Sequence, residues 1–253
     1  MASLLEVKDL HLKYAKANLQ VLAGISFSLE ESSFTSIVGP SGCGKSTLLR
    51  CISGLRRPTS GEVVLSGNRV TSPVEGVSLV FQEYNRSLLP WRSVLRNVIL
   101  PVEDKLPKSE AERRASDLLK EVGLTGFEKY FPWQLSGGMQ QRVAIARALS
   151  SDPKILLMDE PFASVDAQTR MTLEDQLLRL WKERGLTVLF VTHDIDESVY
   201  LSQRIIVLGK RPSRIIEDVV VRLPYPRDQV STRNTSDFAG YRTGVFEKIR
   251  GMF

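Results

Sequence analysis

The stretch FTSIVGPSGCGKSTLLRCISGL, Phe34 to Leu55, decides how the rest of the chain is read. It opens as a short β-branched strand, breaks into a glycine loop and closes as a helix with Leu48, Leu49, Ile52 and Leu55 at helical spacing. The loop itself, GPSGCGKST from Gly39 to Thr47, satisfies the pattern G-x-x-x-x-G-K-[ST] in the strand–loop–helix setting that the pattern requires. Gly39, Gly42 and Gly44 let the backbone curl so that its N–H groups converge on a phosphate. Pro40, Ser41, Cys43 and Thr47 complete the cradle. Lys45 reaches the β- and γ-phosphates, and the Ser46 hydroxyl is a ligand for Mg²⁺. A nucleotide triphosphate site follows.

Working outward, ILLMDEP supplies the complementary half. The apolar run Ile155 to Met158 delivers Asp159 to the end of a strand, where it can hold the Mg²⁺ shell, and the adjacent Glu160 can polarise an attacking water. The same pair in isolation would read equally as a solvated acidic turn. GVSLVFQ is another strand, ending at Gln82, and LTVLFVTH one ending at His193, close in the sheet to the acidic pair. The other histidine, His11, reads as ordinary packing. Helices AQTRMTLEDQLLRLWKERG and DIDESVYLSQ alternate with these strands and with RIIVLG, which implies a mostly parallel sheet covered on both faces.

Before the glycine loop, Leu10, Leu12 and Tyr14 fall on one strand face, as do Ile25, Phe27 and Leu29. GEVVLSGNRV adds a strand and a Gly-Asn turn, giving a small antiparallel β subdomain. Tyr14 suits either stacking on a purine or plain packing. From Asn85 the pattern turns helical: SEAERRASDLLKEVGL opens on an expected capping box, Ser109 with Glu112, and stops at Gly123. The expected organisation is one α/β domain, with core and β subdomain at 1–84 and 150–223 and a helical subdomain inserted at 85–149. A polar tail at 224–253 ends in an amphipathic helix with Phe238, Tyr241, Val245, Phe246 and Ile249.

Composition narrows the class. With 253 residues, 25% charged and 42% hydrophobic, the chain has the balance of a soluble globule. No apolar run is long enough to span a bilayer, and MASLLEVKDL lacks the layout of a signal peptide, so the expected location is cytoplasmic. Two cysteines eight apart carry no disulfide or metal spacing. Cys43, beside Lys45 and a helix N-terminus, is expected to have a lowered thiol pKa and to react with maleimide, whereas Cys51 is expected to be buried and inert. The net charge of +5 suits anionic partners, or simply a solvated surface.

One more segment asks for a partner. LSGGMQQR, Leu135 to Arg142, places Ser136, Gly137 and Gly138 at a helix start, and so builds a second anion-binding N-terminus. Its residues, with those above, resemble the nucleotide-binding subunits of ATP-binding cassette (ABC) transporters. Tyr14 matches the adenine-stacking aromatic, GPSGCGKST the Walker A loop, Gln82 the Q-loop and LSGGMQQR the signature. ILLMDEP matches Walker B, ASVD (Ala163 to Asp166) the D-loop and His193 the switch histidine. The resemblance implies a P-loop ATPase using ATP and Mg²⁺, with Gln82, Glu160 and His193 catalytic and Ser46, Gln82 and Asp159 around the metal. It also implies a head-to-tail dimer, with a second copy or a second ABC subunit. Ser136, Gly137, Gly138 and Asp166 would serve the nucleotide held by the partner chain.

A single cassette with a helical insertion resembles importer subunits, which dock from the cytoplasmic face of the membrane onto a separate permease served by an extracytoplasmic solute-binding protein. SLLPWRSVLRNV and RPSRIIEDVVVRLPYPRD resemble the nitrate, sulfonate and taurine group. Two features depart from it: two extra residues between Gln82 and Leu-Leu-Pro-Trp, and a D-loop reading Ala-Ser-Val-Asp. The alternative is a non-transport ABC ATPase acting on nucleic acid or ribosomes; no nucleic-acid partner is expected for a chain of this length. The apolar segment Tyr84 to Trp91 is expected to meet the permease, or else Trp91 packs the helical insertion.

Overall fold

A computed structural model describes residues 3–14, 18–83 and 87–252. Two sheets organise it. Strands β1 (Ser3–Tyr14), β2 (Leu19–Glu30), β4 (Ser60–Leu65) and β5 (Asn68–Arg69) form an antiparallel sheet in the order β2-β1-β4-β5. The larger sheet takes β3 (Phe34–Val38), β6 (Val77–Val80), β7 (Ile155–Asp159), β8 (Thr187–Val191), β9 (Arg204–Leu208) and β10 (Ile215–Val220) in the order β10-β9-β3-β8-β7-β6. Within it β9, β3, β8, β7 and β6 run parallel, and β10 closes one edge antiparallel to β9.

Strands β3, β7 and β8 are buried at every position, as their near-continuous apolar runs require when helices cover both faces. The covering helices are α1 (Lys45–Ile52), α5 (Ala167–Arg184) and α6 (Ile195–Leu201). Helices α2 (Val94–Ile99), α3 (Lys108–Glu121) and α4 (Gly137–Ser150) pack together between β6 and β7 in sequence. Helix α7 (Ser236–Arg250) lies on α6. The apolar interior divides in two. One cluster joins the helical layer, α5 and α7 to one face of the large sheet; the other joins α1 and the antiparallel sheet to the opposite face.

Three local expectations are corrected. Helix α3 starts at Lys108 behind Pro107, which occupies the cap position at φ −54° and ψ 142°; its carbonyl accepts the Ala111 N–H at 2.9 Å. Ser109 is therefore already helical, and Glu112 pairs with Arg96 at 3.5 Å instead of closing a capping box. The turn after β4 is made by Ser66 and Gly67, both at positive φ, while Asn68 already belongs to β5. In α7, Phe238 and Val245 are buried and Tyr241 and Ile249 pack against the core, but Phe246 is half-exposed beside His193, Ile195 and Arg242. The tail before α7 is also less solvated than its composition implies: Arg227 is buried and donates to the carbonyl oxygens of Val199, Tyr200, Ser202 and Leu223, covering the C-terminal end of α6.

Candidate functional site

Four neighbouring parallel strands end on the same side of the large sheet, and each end carries a residue singled out from the sequence. Gly39 follows β3, His193 lies two residues beyond β8, Asp159 and Glu160 close β7, and Gln82 lies two residues beyond β6. The crevice beyond the carboxyl ends of parallel strands is where open α/β sheets bind their ligands.

The glycine loop is shaped by backbone conformations that side chains resist: Gly42 has φ +73° and Gly44 φ +118°. A Cβ at Gly44 would stand 2.7 Å from Val21 Cγ1, so only glycine fits there. The first bond into α1 runs from the Leu48 N–H to the Gly44 carbonyl at 2.8 Å. The N–H groups of Lys45, Ser46 and Thr47 therefore have no acceptor inside the helix; that of Lys45 turns to the Cys43 thiol, which leaves those of Ser46 and Thr47 for the loop mouth. Lys45 is buried at 5% exposure, its Nζ donating to the Gly39 carbonyl at 2.9 Å and standing 3.8 Å from Glu160 Oε1. The loop thus holds a cation and a row of free N–H groups within reach of one carboxylate.

Glu160 is the centre of the polar cluster. Its Oε2 meets His193 Nδ1 at 2.9 Å and accepts from Gln82 Nε2 at 3.4 Å. Its backbone sits at φ +45°, unusual for a side-chain-bearing residue, and its N–H donates to the Val191 carbonyl at 2.9 Å. Beside it the Ser46 hydroxyl donates to Asp159 Oδ1 at 2.9 Å. Burial pushes the Asp159 carboxyl above its ordinary pKa, and the Ser46 hydrogen bond opposes that shift. Ser46, Asp159 and Gln82 line one cleft with Arg50 and Phe81. Hydroxyl, carboxylate and amide oxygens are the hard donors that suit Mg²⁺. Among the described residues, no three His, Cys, Asp or Glu side chains converge as a protein-only metal cage, so a metal here would need oxygens from its ligand.

The remaining predicted residues fall outside this cluster. Tyr14 ends β1, and the Arg56 guanidinium lies over its ring at 4.4 Å from the centroid. Ser136 caps α4, its Oγ accepting the Met139 N–H at 3.4 Å; Ser136 and Gly137 are exposed and Gly138 is buried. Asp166 caps α5, accepting the Thr169 N–H at 3.0 Å, and those backbone bonds hold its carboxyl below the ordinary pKa. Cys43 requires a correction. Its side chain points inward and is 2% exposed, and desolvation raises its thiol pKa despite the pull of Lys45 and nearby N–H groups. It is a wall of the loop, not a reactive thiol. Cys51 is buried with its pKa pushed up to about 11.

Residues 22–163 match the family model described as ABC transporter. The chain belongs to the ABC transporter family. An ABC transporter ATP-binding protein of Methanocaldococcus jannaschii, itself uncharacterized, is 49% identical over 92% of this chain and 85% of its own length. The aliphatic sulfonates import ATP-binding protein SsuB of Bacillus subtilis is 43% identical over 92% of this chain and 89% of its own length. Among solved structures, a dimeric ATP-binding cassette in a post-hydrolysis state bound to ADP and Pi superposes with a TM-score of 0.76 at 34% identity. That match covers 86% of this chain and 99% of the other. This ABC cassette is an ATPase.

Several residues around the cassette's polar cluster carried no sequence signal. Arg170, Thr192 and Glu197 surround the turn that bears His193. Asn97 is fully buried on α2, and its side-chain amide bonds the backbone of Leu89, Arg92 and Ser93. Arg170 reaches Asp194 across 24 residues of sequence, whereas the Thr192–Glu197 bond and the Asn97 bonds span eight residues or fewer but belong to no pattern read from the sequence.

Proposed function

We propose that this chain powers import of a small anionic solute of the sulfonate class. ATP would close a head-to-tail dimer beneath a separate permease, at the cytoplasmic face of the membrane. The observation that carries this is the convergence of Lys45, Ser46, Gln82, Asp159, Glu160 and His193 at four adjacent strand ends, with a second anion-binding helix N-terminus exposed at Ser136 and Gly137. Lys45 and the loop N–H groups bind the phosphates. Ser46, Asp159 and Gln82 would hold Mg²⁺, which would supply charge shielding for the phosphates. Glu160 orients a water toward the γ-phosphorus and takes up its proton, and His193 fixes Glu160 and donates to a γ-phosphate oxygen. The products are ADP and phosphate.

Ser136, Gly137 and Gly138 of one chain would complete the nucleotide site of the other, so that ATP bound between them stabilises the closed dimer. The sulfonate class rests on relatives such as the B. subtilis and Xanthomonas axonopodis sulfonate import proteins, the latter 49% identical over 83% of this chain. An importer subunit of this kind depends on a permease and on an extracytoplasmic binding protein to read the solute. No helix among the described residues is long and apolar enough to cross a membrane.

The docking surface is narrower than the sequence implied. Leu88 is in the core, and Tyr84, Asn85 and Arg86 lie outside the described residues. Trp91, however, is 72% exposed on a loop that Asn97 pins from beneath, and so does not pack the helical layer. Val94 on the same segment donates to the Tyr130 carbonyl at 2.7 Å, which joins it to a loop carrying exposed Trp133. The two tryptophans give this face large apolar groups to bury against a partner.

Three measurements test the proposal. Glu160→Gln should keep ATP affinity, lose turnover and accumulate as an ATP-bound dimer; hydrolysis near the wild-type rate would remove Glu160 from its role. A heterodimer of Ser136→Arg with Lys45→Ala places both lesions in one composite site and leaves the other intact, so it should still bind nucleotide at one site. Damage confined to each mutant's own chain would refute the head-to-tail arrangement. Stimulation of ATPase activity by DNA or RNA, and not by permease with loaded binding protein, would favour the non-transport alternative.

A further inference from the structure

His193 is held by its neighbours in the chain, and those neighbours are held by one arginine. The Thr192 hydroxyl accepts the Asp194 N–H at 2.9 Å and donates to Glu197 Oε2 at 2.5 Å. Asp194 caps α6, accepting the Glu197 N–H on Oδ1 at 3.2 Å. Its other oxygen accepts from Arg170 Nη1 at 3.1 Å, and Arg170 Nε stands 3.7 Å from Glu197 Oε1. The remaining arm of the same guanidinium, Nη2, donates to the Val165 carbonyl at 3.3 Å. Val165 is buried and directly precedes the exposed Asp166. One planar group therefore spans two functional loops: the Ala163–Asp166 segment and the turn that presents His193 to Glu160.

We propose that Arg170 is a positioning residue for ATP hydrolysis, fixing the Ala163–Asp166 segment and the His193 turn at a set distance so that they move as one unit. This rests on the reading of His193 as a group acting at the γ-phosphate. A rigid fork is what the geometry uses: Nη1 and Nη2 donate to Asp194 and to the Val165 carbonyl while Nε faces the Glu197 carboxylate as an ion-pair partner at 3.7 Å, and a lysine ammonium on a flexible stem could not hold these groups in register. Displacing a reacting group by about 1 Å from a remote position is enough to cost on the order of a hundredfold in rate. Arg170 itself contacts no residue of the glycine loop among its described partners, so nucleotide affinity should not depend on it.

Steady-state ATPase kinetics of the full chain test this. Arg170→Gln and Arg170→Lys should lower kcat roughly 10- to 100-fold while KM for ATP stays within about twofold. Arg233→Gln is the structural control. Arg233 pairs at 2.7 Å with Glu174, a 1% exposed carboxylate on the same helix, but touches neither loop. It should lower thermal stability and leave kcat within about twofold of wild type. In a His193→Ala background, adding Arg170→Gln should cause no further loss of single-turnover rate.

An inactive His193→Ala protein alongside a folded Arg170→Lys protein at the wild-type rate would overturn the positioning role and leave the site reading intact. A kcat loss in Arg233→Gln equal to that of the Arg170 variants, or a full further loss in the His193→Ala background, would also overturn it. Wild-type turnover by His193→Ala would remove both the reading of His193 and the role of Arg170 built on it. Should Arg170→Gln fail to fold, Arg170→Lys alone carries the comparison.

Discussion

Gly138 sits under a methyl group, and that contact separates two reasons for a glycine at this place. A Cβ built there would stand 2.5 Å from Thr169 Cγ2 and 4.0 Å from Val165 Cγ1. Thr169 cannot swing aside freely: it is β-branched, its N–H bonds Asp166 at 3.0 Å, and its hydroxyl bonds the same carboxylate. Gly138→Ala must therefore push α4 and α5 apart by about 1 Å, an overpacking that costs ~1–3 kcal/mol. The alanine recovers up to ~1 kcal/mol in helix propensity, leaving a net loss of up to roughly 2 kcal/mol. In a chain of this size that corresponds to a drop of up to roughly 8 °C in Tm.

Thermal unfolding of the nucleotide-free subunit measures it, and Thr169→Ser supplies the internal check. Serine keeps the hydroxyl on Asp166 and deletes the offending methyl, so Gly138→Ala/Thr169→Ser should regain wild-type stability. If Gly138 also serves the partner's nucleotide, the double variant stays defective in ATP-driven dimerisation despite its restored Tm. A Gly138→Ala protein at least as stable as wild type would refute the packing argument. Restored stability together with full ATPase activity would refute the role of Gly138 at the dimer site.

Other outcomes follow from burial and charge. Maleimide should modify neither Cys43 nor Cys51 at an appreciable rate in the folded chain, since both thiols are buried and protonated; rapid MgATP-sensitive labelling of Cys43 would show its side chain facing the cradle instead. Burial raises the Glu197 pKa from 4.5 to about 7, so the folded state binds this proton more tightly than the unfolded chain. Its contribution is fully present below pH ~4.5 and is lost as pH rises through ~7, a loss on the order of 3 kcal/mol. Glu197→Gln should flatten the pH dependence of unfolding across that window, and an unchanged slope would place the titration elsewhere. Trp91→Ala should uncouple solute uptake from ATP hydrolysis without altering nucleotide affinity or Tm, because the ring is 72% exposed; a fall in Tm would show that the ring packs its own chain.

The parts of this cassette that sequence makes legible are those set by local chemistry. Buried parallel strands must be apolar throughout, so β3, β7 and β8 stand out as FTSIV, ILLMD and TVLFV, and their ends point at once to Gly39, Asp159 and His193. The glycine loop is legible because φ values of +73° and +118° admit few residues other than glycine. Helix starts were less legible. Ser109 and Glu112 have the right spacing for a capping box, but Pro107 takes the cap position because its fixed φ and missing N–H suit the residue just outside a helix. Arg227 and Arg170 had no signal at all: the polar tail gave no reason to bury one, and the helical surface gave no reason to aim the other at Val165 and Asp194.

Cys43 shows why a sound local rule can give the wrong sign. A thiol next to a lysine and a helix N-terminus should ionise easily, and both stabilising influences are present in the fold. The rule assumes that the sulfur shares the solvent-facing side of the loop with those groups. In a strand or helix, periodicity would say which side a residue faces; in a glycine loop, successive residues follow no period. Here the backbone turns Cys43 inward, against the core cluster that contains Leu48 and Leu208, and the Cys43 N–H closes a bond to the Pro40 carbonyl at 3.2 Å. Desolvation then outweighs the nearby charge. Gly138 presents the same difficulty in reverse: a glycine read for the N–H it offers a phosphate is also required by a methyl group on a helix about thirty residues away in sequence. In such loops the side a residue faces is settled by what packs behind it, and that is the one thing a motif does not record.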